Sequence, residues 1–545
     1  MAAIPAGRDA RPVAGNAVYY ERHRPEQTLL YPIVAEYYPA FQDLMAAQGR
    51  TLPEYVQREF EDYLRCGRLE HGFLRVRCER CHAEKLVAFS CKRRGFCPSC
   101  GARRMVESAA LLVDEVLPRE PLRQWVLSVP FALRFLFASQ PTEMGKVLGI
   151  VYRAIATHLI KKAGLTHATG QTGAVTLIQR FGSALNLNIH FHMLFLDGVY
   201  VTGEDALCFR RVKPPTAAEL DGLIGNISAR VGRYLERQGL LVRDMENSAL
   251  ALEAGDDAGL DALLSHSITY RIAVGPQQGR KAFTLQTLPA WTGDLEARPV
   301  ANAAGFSLHA GVATEADERQ KLERLCRYIA RPAVSTERLS LTNQGHIRYA
   351  LKTPYRDGTT HVIFEPLDFM ARLAALVPKP RVNLTRFHGV FAPNSYLRAQ
   401  VTPGQRGRRT GEGADRTVAA RHSAMSWGQR LKRVFKLDIE TCSHCGGAVK
   451  VIACIEDPVV IKQILEHLER RKEQPVAMTP TARAPPRNTA PGRTDWPAAS
   501  YSKHGSYALR GIGRGALAFT LRRAPFRQRK PPAGLLISVS LTNFS

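Results

Sequence analysis

The chain has 545 residues, enough for two to four domains with at least one sizeable core. Its hydrophobic fraction of 45% is ordinary, but 75 Lys and Arg against 49 Asp and Glu leave a net charge of +26; this Arg-rich excess makes nucleic acid the natural partner. No early apolar run approaches the roughly 18 residues of a membrane span and no charged-then-apolar leader opens the chain, so a cytoplasmic place without membrane association is expected.

Residues 1–20 are rich in Ala, Gly and Pro and read as loose. Thr28 to Tyr63 has a helical pattern and leads into a cysteine-rich module at about 66–106. Of eleven cysteines, nine fall in two local clusters, which in a large cytoplasmic protein read as metal sites instead of disulfides. In the first, two C-x-x-C pairs are separated by fifteen residues. Cys78, Cys81, Cys97 and Cys100 therefore have the spacing of a four-thiolate structural Zn²⁺ site; the alternative is unpaired reduced cysteines. Cys66, His71, His82 and Cys91 either extend that site or pack near it. Lys92, Arg93, Arg94, Arg103 and Arg104 surround it, and Arg93 and Arg94 are expected to touch DNA phosphate.

Met105 to Leu117 reads as a helix ending before Pro118. A strand follows at Gln124–Val129, a helix at Gly145–Lys162, and a strand at Ala174–Phe181 with His190–Tyr200 as its hairpin partner. Strand side chains alternate, so His190 and His192 share one face while Ile189, Phe191 and Met193 fill the other. Taken alone, such a pair is more often a core or surface feature than a metal site. A metallo-β-lactamase-like reading is weakened because positions 194 and 195 are Leu and Phe. What remains is half a site for Mg²⁺ or Mn²⁺, able to polarise a phosphodiester, with Gln179 as the nearest polar candidate for a third ligand.

Further strands are expected at Ile268–Val274, Gln344–Leu351 and Thr360–Phe364, and helices at Glu315–Ala330 and Pro366–Leu376. Leu322, Leu325, Cys326 and Ile329 mark the buried face of the first of these helices, and Pro332 ends it. Tyr328 then sits in its last turn beside Arg324 and Arg331. A phenol of ordinary pKa about 10 is a poor nucleophile, and such a basic setting would help it; the alternative is a tyrosine that packs at a helix edge. Residues 401–425 read as a linker, Cys442 and Cys445 as a half ribbon that Cys454 or His444 could close as a second zinc site, or as a turn without metal. Beyond Arg471 the composition is that of disorder. The expected class is α+β: a central antiparallel sheet with flanking helices at 120–400, a zinc-binding, DNA-binding domain before it at 25–115, a cysteine module at 426–470 and a disordered tail at 471–545.

Four stretches together resemble a known family. The run Gln179 to His192 followed by Leu196-Asp197-Gly198-Val199-Tyr200 is similar to the HUH motif of IS91-type and ISCR-type rolling-circle insertion-sequence transposases. Ser90 to Cys100 resembles their N-terminal zinc-binding domain, Arg327-Tyr328-Ile329-Ala330-Arg331-Pro332 through Leu339 the block around their catalytic tyrosine, and Phe387 to Ser395 a fourth block. The resemblance implies an HUH nuclease-like fold in which His190 and His192 hold a divalent metal on the scissile phosphate of single-stranded DNA. It implies that Tyr328 attacks, leaving a 5′-phosphotyrosine and a free 3′-hydroxyl, and that Arg324, Arg327 and Arg331 contact DNA at the element's ends and target. It also implies a bacterial, nucleoid-associated protein. Some members carry two tyrosines four residues apart; position 324 here is Arg, as in the single-tyrosine branch. The rival readings are a plasmid replication initiator or relaxase of the same chemistry, and a non-catalytic zinc-dependent DNA-binding protein.

Overall fold

The computed structural model describes residues 24–202, 207–243, 248–253, 258–290, 300–404 and 440–473, with short strand segments at 18–19, 437–438 and 534–539. Most of the expected loose N-terminus, of the linker and of the C-terminal tail lies outside the described residues.

The chain is α+β. Six antiparallel strands form the central sheet, in the order Val300–Ala303, Phe306–Thr314, Leu122–Ser128, Leu187–Leu196, Gly173–Phe181, Thr385–Gly389. The strand with the two histidines is interior and covered on both faces, so it reads as nearly continuous apolar sequence. Ile189, Phe191, Met193 and Phe195 are fully buried in the main core, under the helices Phe131–Ser139, Ala258–Ile268 and Pro366–Leu376. On the opposite face Leu194 and Leu196 meet Leu322, Cys326 and Ile329 of the helix Arg319–Ile329, and Ala109 of the helix Pro98–Leu111. Those three residues repeat at i, i+4 and i+7, the stripe that buries one side of a helix.

The segment Ile268–Val274 is not the expected strand. The helix Ala258–Ile268 runs into it, and the backbone beyond pairs only briefly, through a single antiparallel bridge of Arg271 with Lys281, with side chains holding the rest. Asp368 Oδ1 accepts from the Ala273 N–H at 2.7 Å, and Arg372 donates to the Arg271 carbonyl. Ile272, Ala273 and Val274 are buried, which gives the segment the apolar signature of a strand although it forms only an isolated bridge. Nor does the histidine strand reach Tyr200: it ends at Leu196, and Gly198–Thr202 joins a separate three-stranded sheet with Gly170–Gln171 and Leu207–Arg211. At the break, Arg123 donates to both Asp197 oxygens at 2.8 and 2.7 Å. Only glycine fits next, because a Cβ at Gly198 would lie 2.4 Å from the Arg210 carbonyl oxygen. The single helical pattern over Thr28–Tyr63 divides into Leu30–Ala47 and Glu54–Arg65.

A smaller sheet has Phe73–Cys78 at its centre, flanked by Glu84–Ala88 and by Val449–Ile455 from near the other end of the chain. Among the described residues no helix is long and apolar enough to cross a membrane.

Candidate metal and tyrosine site

His190 and His192 lie on one face with ring centroids 4.8 Å apart. Their Nδ1 atoms are engaged: His190 donates to the Asn188 carbonyl over 2.9 Å, which leaves its Nε2 a lone pair, and His192 Nδ1 lies 2.7 Å from the Gln124 side-chain amide. The amide can present oxygen to that nitrogen as readily as NH₂, and with oxygen presented the Nε2 of His192 also carries a lone pair. That Nε2 is buried and has no protein partner, as expected of an atom awaiting a ligand. Burial pushes the His190 imidazole down to about 4, with the Arg331 and Arg134 guanidinium groups adding to the effect. Burial, the neighbouring His190 and Arg331 hold His192 well below the usual histidine range. Both rings are neutral at physiological pH, the form that binds metal.

Gln179 faces His190 across the strand pair. Its amide nitrogen donates to the Ile329 carbonyl at 3.0 Å, so a ligand role would fall to Oε1. This bond ties the strand Gly173–Phe181, the neighbour of the histidine strand, to the last turn of the tyrosine helix, one residue beyond Tyr328. Against the Tyr328 ring lie two cations, the Arg331 guanidinium carbon 4.4 Å and the Lys352 Nζ 4.3 Å from its centroid. Arg331 also spans to the Phe181 ring at 5.4 Å and donates to the Tyr328 carbonyl at 3.1 Å. One guanidinium thus touches tyrosine, the end of the neighbouring strand and the field of both histidines. Among the described residues, no carboxylate, thiolate or third histidine clusters with the pair.

Two residues of this site carry little sequence signal. Gln124 is a lone amide in an apolar strand, on the same face as His192 by the register that sets Val126 opposite His192. Lys352 follows the strand Ile347–Ala350 and meets Tyr328 only through the fold. Of the arginines expected on DNA, Arg324 is exposed and Arg327 half-buried. Arg93 pairs with Asp62, and Arg94 donates to the Val382 and Lys379 carbonyls at 2.5 and 3.3 Å. The Phe387–Ser395 block begins on the edge strand Thr385–Gly389, where His388 stacks on Tyr152 with ring centroids 4.8 Å apart, and continues as turns.

The cysteines divide differently from their order in sequence. Cys97 and Cys100, at the start of the helix Pro98–Leu111, gather with Cys66 and Cys91; Cys78 and Cys81 do not join them, because they sit at the far turn of the small sheet and face Cys442 and Cys445. In the first group the sulfurs of Cys66 and Cys100, Cys91 and Cys100, and Cys97 and Cys66 are 3.7, 3.4 and 3.8 Å apart. A zinc ion about 2.3 Å from four tetrahedral thiolates requires sulfurs roughly 3.8 Å apart, so the donor set fits structural zinc.

Residues 173–398 match the transposase family model Y2_Tnp, and residues 33–129 match Zn_Tnp_IS91, a transposase zinc-binding domain. The chain belongs to the IS91-type transposases. As such it is a DNA-processing protein with a structural zinc module. The transposase match begins on the strand of Gln179, takes in both histidines and Tyr328, and ends beyond the Phe387–Ser395 block. The zinc-domain match contains all four cysteines of the first group and stops far short of Cys442. No curated protein and no solved structure gives a significant match to the IS91-type chain.

Proposed function

We propose that this transposase nicks and rejoins single-stranded DNA at the ends of an insertion sequence, with Tyr328 as nucleophile and His190 and His192 as ligands of a divalent metal. The observation that carries the reading is the bond from Gln179 to the Ile329 carbonyl, which fastens the tyrosine's helix turn beside the histidine pair. Mg²⁺ or Mn²⁺ held by the two Nε2 atoms, with Gln179 Oε1 as candidate third ligand, would supply charge neutralisation at the scissile phosphate. Attack by the Tyr328 oxygen on phosphorus forms a 5′-phosphotyrosine and breaks the bond to the 3′-oxygen, which departs as a hydroxyl carrying the proton the phenol gave up. The reverse reaction joins the strand to a new 3′-hydroxyl and conserves the bond energy, so no nucleotide cofactor is required.

Arg331 and Lys352, already against the ring, are placed to pair with the phosphate as it approaches. Exposed Arg324 and half-buried Arg327 continue the basic surface along the helix, while the zinc-binding N-terminal domain holds the flanking DNA. The cytoplasm, on the nucleoid, is the place for this work. The test is a covalent-adduct assay with single-stranded element-end DNA and Mn²⁺. Wild type should yield a protein–DNA adduct, Tyr328→Phe none with binding retained, and His190→Ala/His192→Ala none. An adduct that persists in Tyr328→Phe would overturn the role of the tyrosine, and unchanged cleavage in the double histidine variant would overturn the metal's.

A further inference from the structure

Cys78 and Cys81 come from the N-terminal module, and Cys442 and Cys445 from a segment more than three hundred residues later. Cys78 and Cys445 sulfurs are 3.5 Å apart across 367 residues of sequence, and those of Cys81 and Cys442 are 3.5 Å apart across 361. The spacing suits a tetrahedral four-thiolate ion as well as the first group does.

The two halves are built alike. Each C-x-x-C is followed by a residue in the left-handed region, His82 at φ 59° and Gly446 at φ 72°. Each turn closes with a backbone bond back to its first cysteine: the His82 N–H donates to the Cys78 carbonyl at 3.1 Å and the Gly446 N–H to the Cys442 carbonyl at 2.9 Å. The His444 N–H points at the Cys442 sulfur over 3.4 Å, as amides do around metal-bound thiolates. A Cβ at Gly447 would lie 2.7 Å from the Arg80 Cβ, 3.1 Å from the Cys78 sulfur and 3.3 Å from the Cys445 sulfur, so the second turn closes over the first with no room for a side chain.

The sheet continues the contact. Cys78 is in register with Val449, and the pairing runs to Phe73 opposite Ile455. The Glu79 N–H donates to the Ala448 carbonyl at 2.9 Å, and Lys450 pairs with Glu79. The helix Pro458–Glu473 then packs back on the turn Leu69–His71 of the same module. A strand of seven residues on an outer edge, with Val451 and Ile452 exposed, buries little apolar area of its own, and a metal is what would hold it.

We propose that Cys78, Cys81, Cys442 and Cys445 bind a second Zn²⁺, which clasps the C-terminal strand and helix onto the N-terminal zinc-binding module. The full-length protein should hold two zinc ions per chain by elemental analysis. Cys442→Ser/Cys445→Ser should hold one, and limited proteolysis should then release the segment beginning near residue 440. Cys445→His alone should keep the second ion, since zinc accepts three thiolates and an imidazole, and Cys454→Ser, a nearby exposed cysteine outside the group, should keep both. The proposal is overturned if the double serine variant keeps two ions, if wild type holds one, or if Cys454→Ser loses an ion as readily as the double variant. Zinc content is read without DNA, so failure of the nicking chemistry would leave this result untouched.

Discussion

At the scale of single residues, the histidine pair is distinguished less by its spacing than by its burial. That His190 and His192 share a face follows from strand alternation and was legible in the sequence. That they lie neutral in the interior depends on packing from other elements, and of the groups holding their Nδ1 atoms Gln124 comes from the neighbouring strand, whereas the Asn188 carbonyl is on the histidine strand itself. The displaced pKa has a consequence for stability. His190 titrates near 4 in the fold against about 6.5 in an unfolded chain, so the folded state binds fewer protons in between. Its stabilising contribution is complete above pH 6.5 and is lost as pH falls towards 4. For His190 alone the loss between pH 7 and 5 is on the order of 2 kcal/mol, and His192 adds to it in the same direction. Chemical denaturation of wild type and His190→Gln at those two pH values, without added Mg²⁺ or Mn²⁺, should show wild type losing more stability than the variant by about that amount. Parallel losses would mean the ring is solvated and ordinary.

At the scale of elements, the zinc module and the tyrosine helix are one mechanical unit. The helix Pro98–Leu111 starts at the first cysteine group and packs along the helix of Tyr328. At their contact Gly101, directly after Cys100, meets Pro332, directly after Arg331, and a Cβ at Gly101 would come within 2.6 Å of the Pro332 Cβ. The pyrrolidine ring cannot swing aside as a long side chain would. Gly101→Ala should gain up to about 1 kcal/mol of helix propensity, yet it must push the tyrosine's helix end away from the histidines. A displacement of about an ångström at a reacting group costs around a hundredfold in rate. The variant should therefore keep its zinc and its DNA binding while adduct formation falls about 10- to 100-fold; cleavage at the wild-type rate would show the contact to be incidental.

The same scale marks where sequence reading stops. The strands around Ala174–Phe181 and His190, the helix Pro366–Leu376 and the stripe Leu322, Cys326, Ile329 are local periodic patterns, and the structure has them. The segment Ile268–Val274 has the right apolar content, but it pairs through a single bridge to Lys281 and is otherwise held by Asp368 and Arg372, about a hundred residues away. The cysteine groups fail to follow sequence order for the same reason: nearness along the chain paired Cys78 and Cys81 with Cys97 and Cys100, while the turn of the small sheet carries the first two away to Cys442 and Cys445.

At the scale of the whole molecule, a net charge of +26 overstates the cations that DNA can meet. Arg123 is buried against Asp197, Arg372 against Asp368, and Arg180 among the carbonyls of 375–377. Arg94 has likewise turned inward, holding the N-terminal module to the loop at 379–382, and burial lowers its pKa from the free value. Arg324 is exposed on the tyrosine helix. These placements separate two roles that the sequence alone could not. Each phosphate neutralised adds about 0.7 to the slope of log K against log salt for single-stranded DNA. Arg324→Ala should therefore weaken binding and flatten that slope by about 0.7, whereas Arg94→Ala should leave the slope unchanged and lower the protein's unfolding midpoint, since its guanidinium serves carbonyls of the protein. Equilibrium binding of single-stranded DNA across a salt series reads both variants. An equal drop in slope for the two would place Arg94 on the phosphate backbone and make its carbonyl contacts secondary.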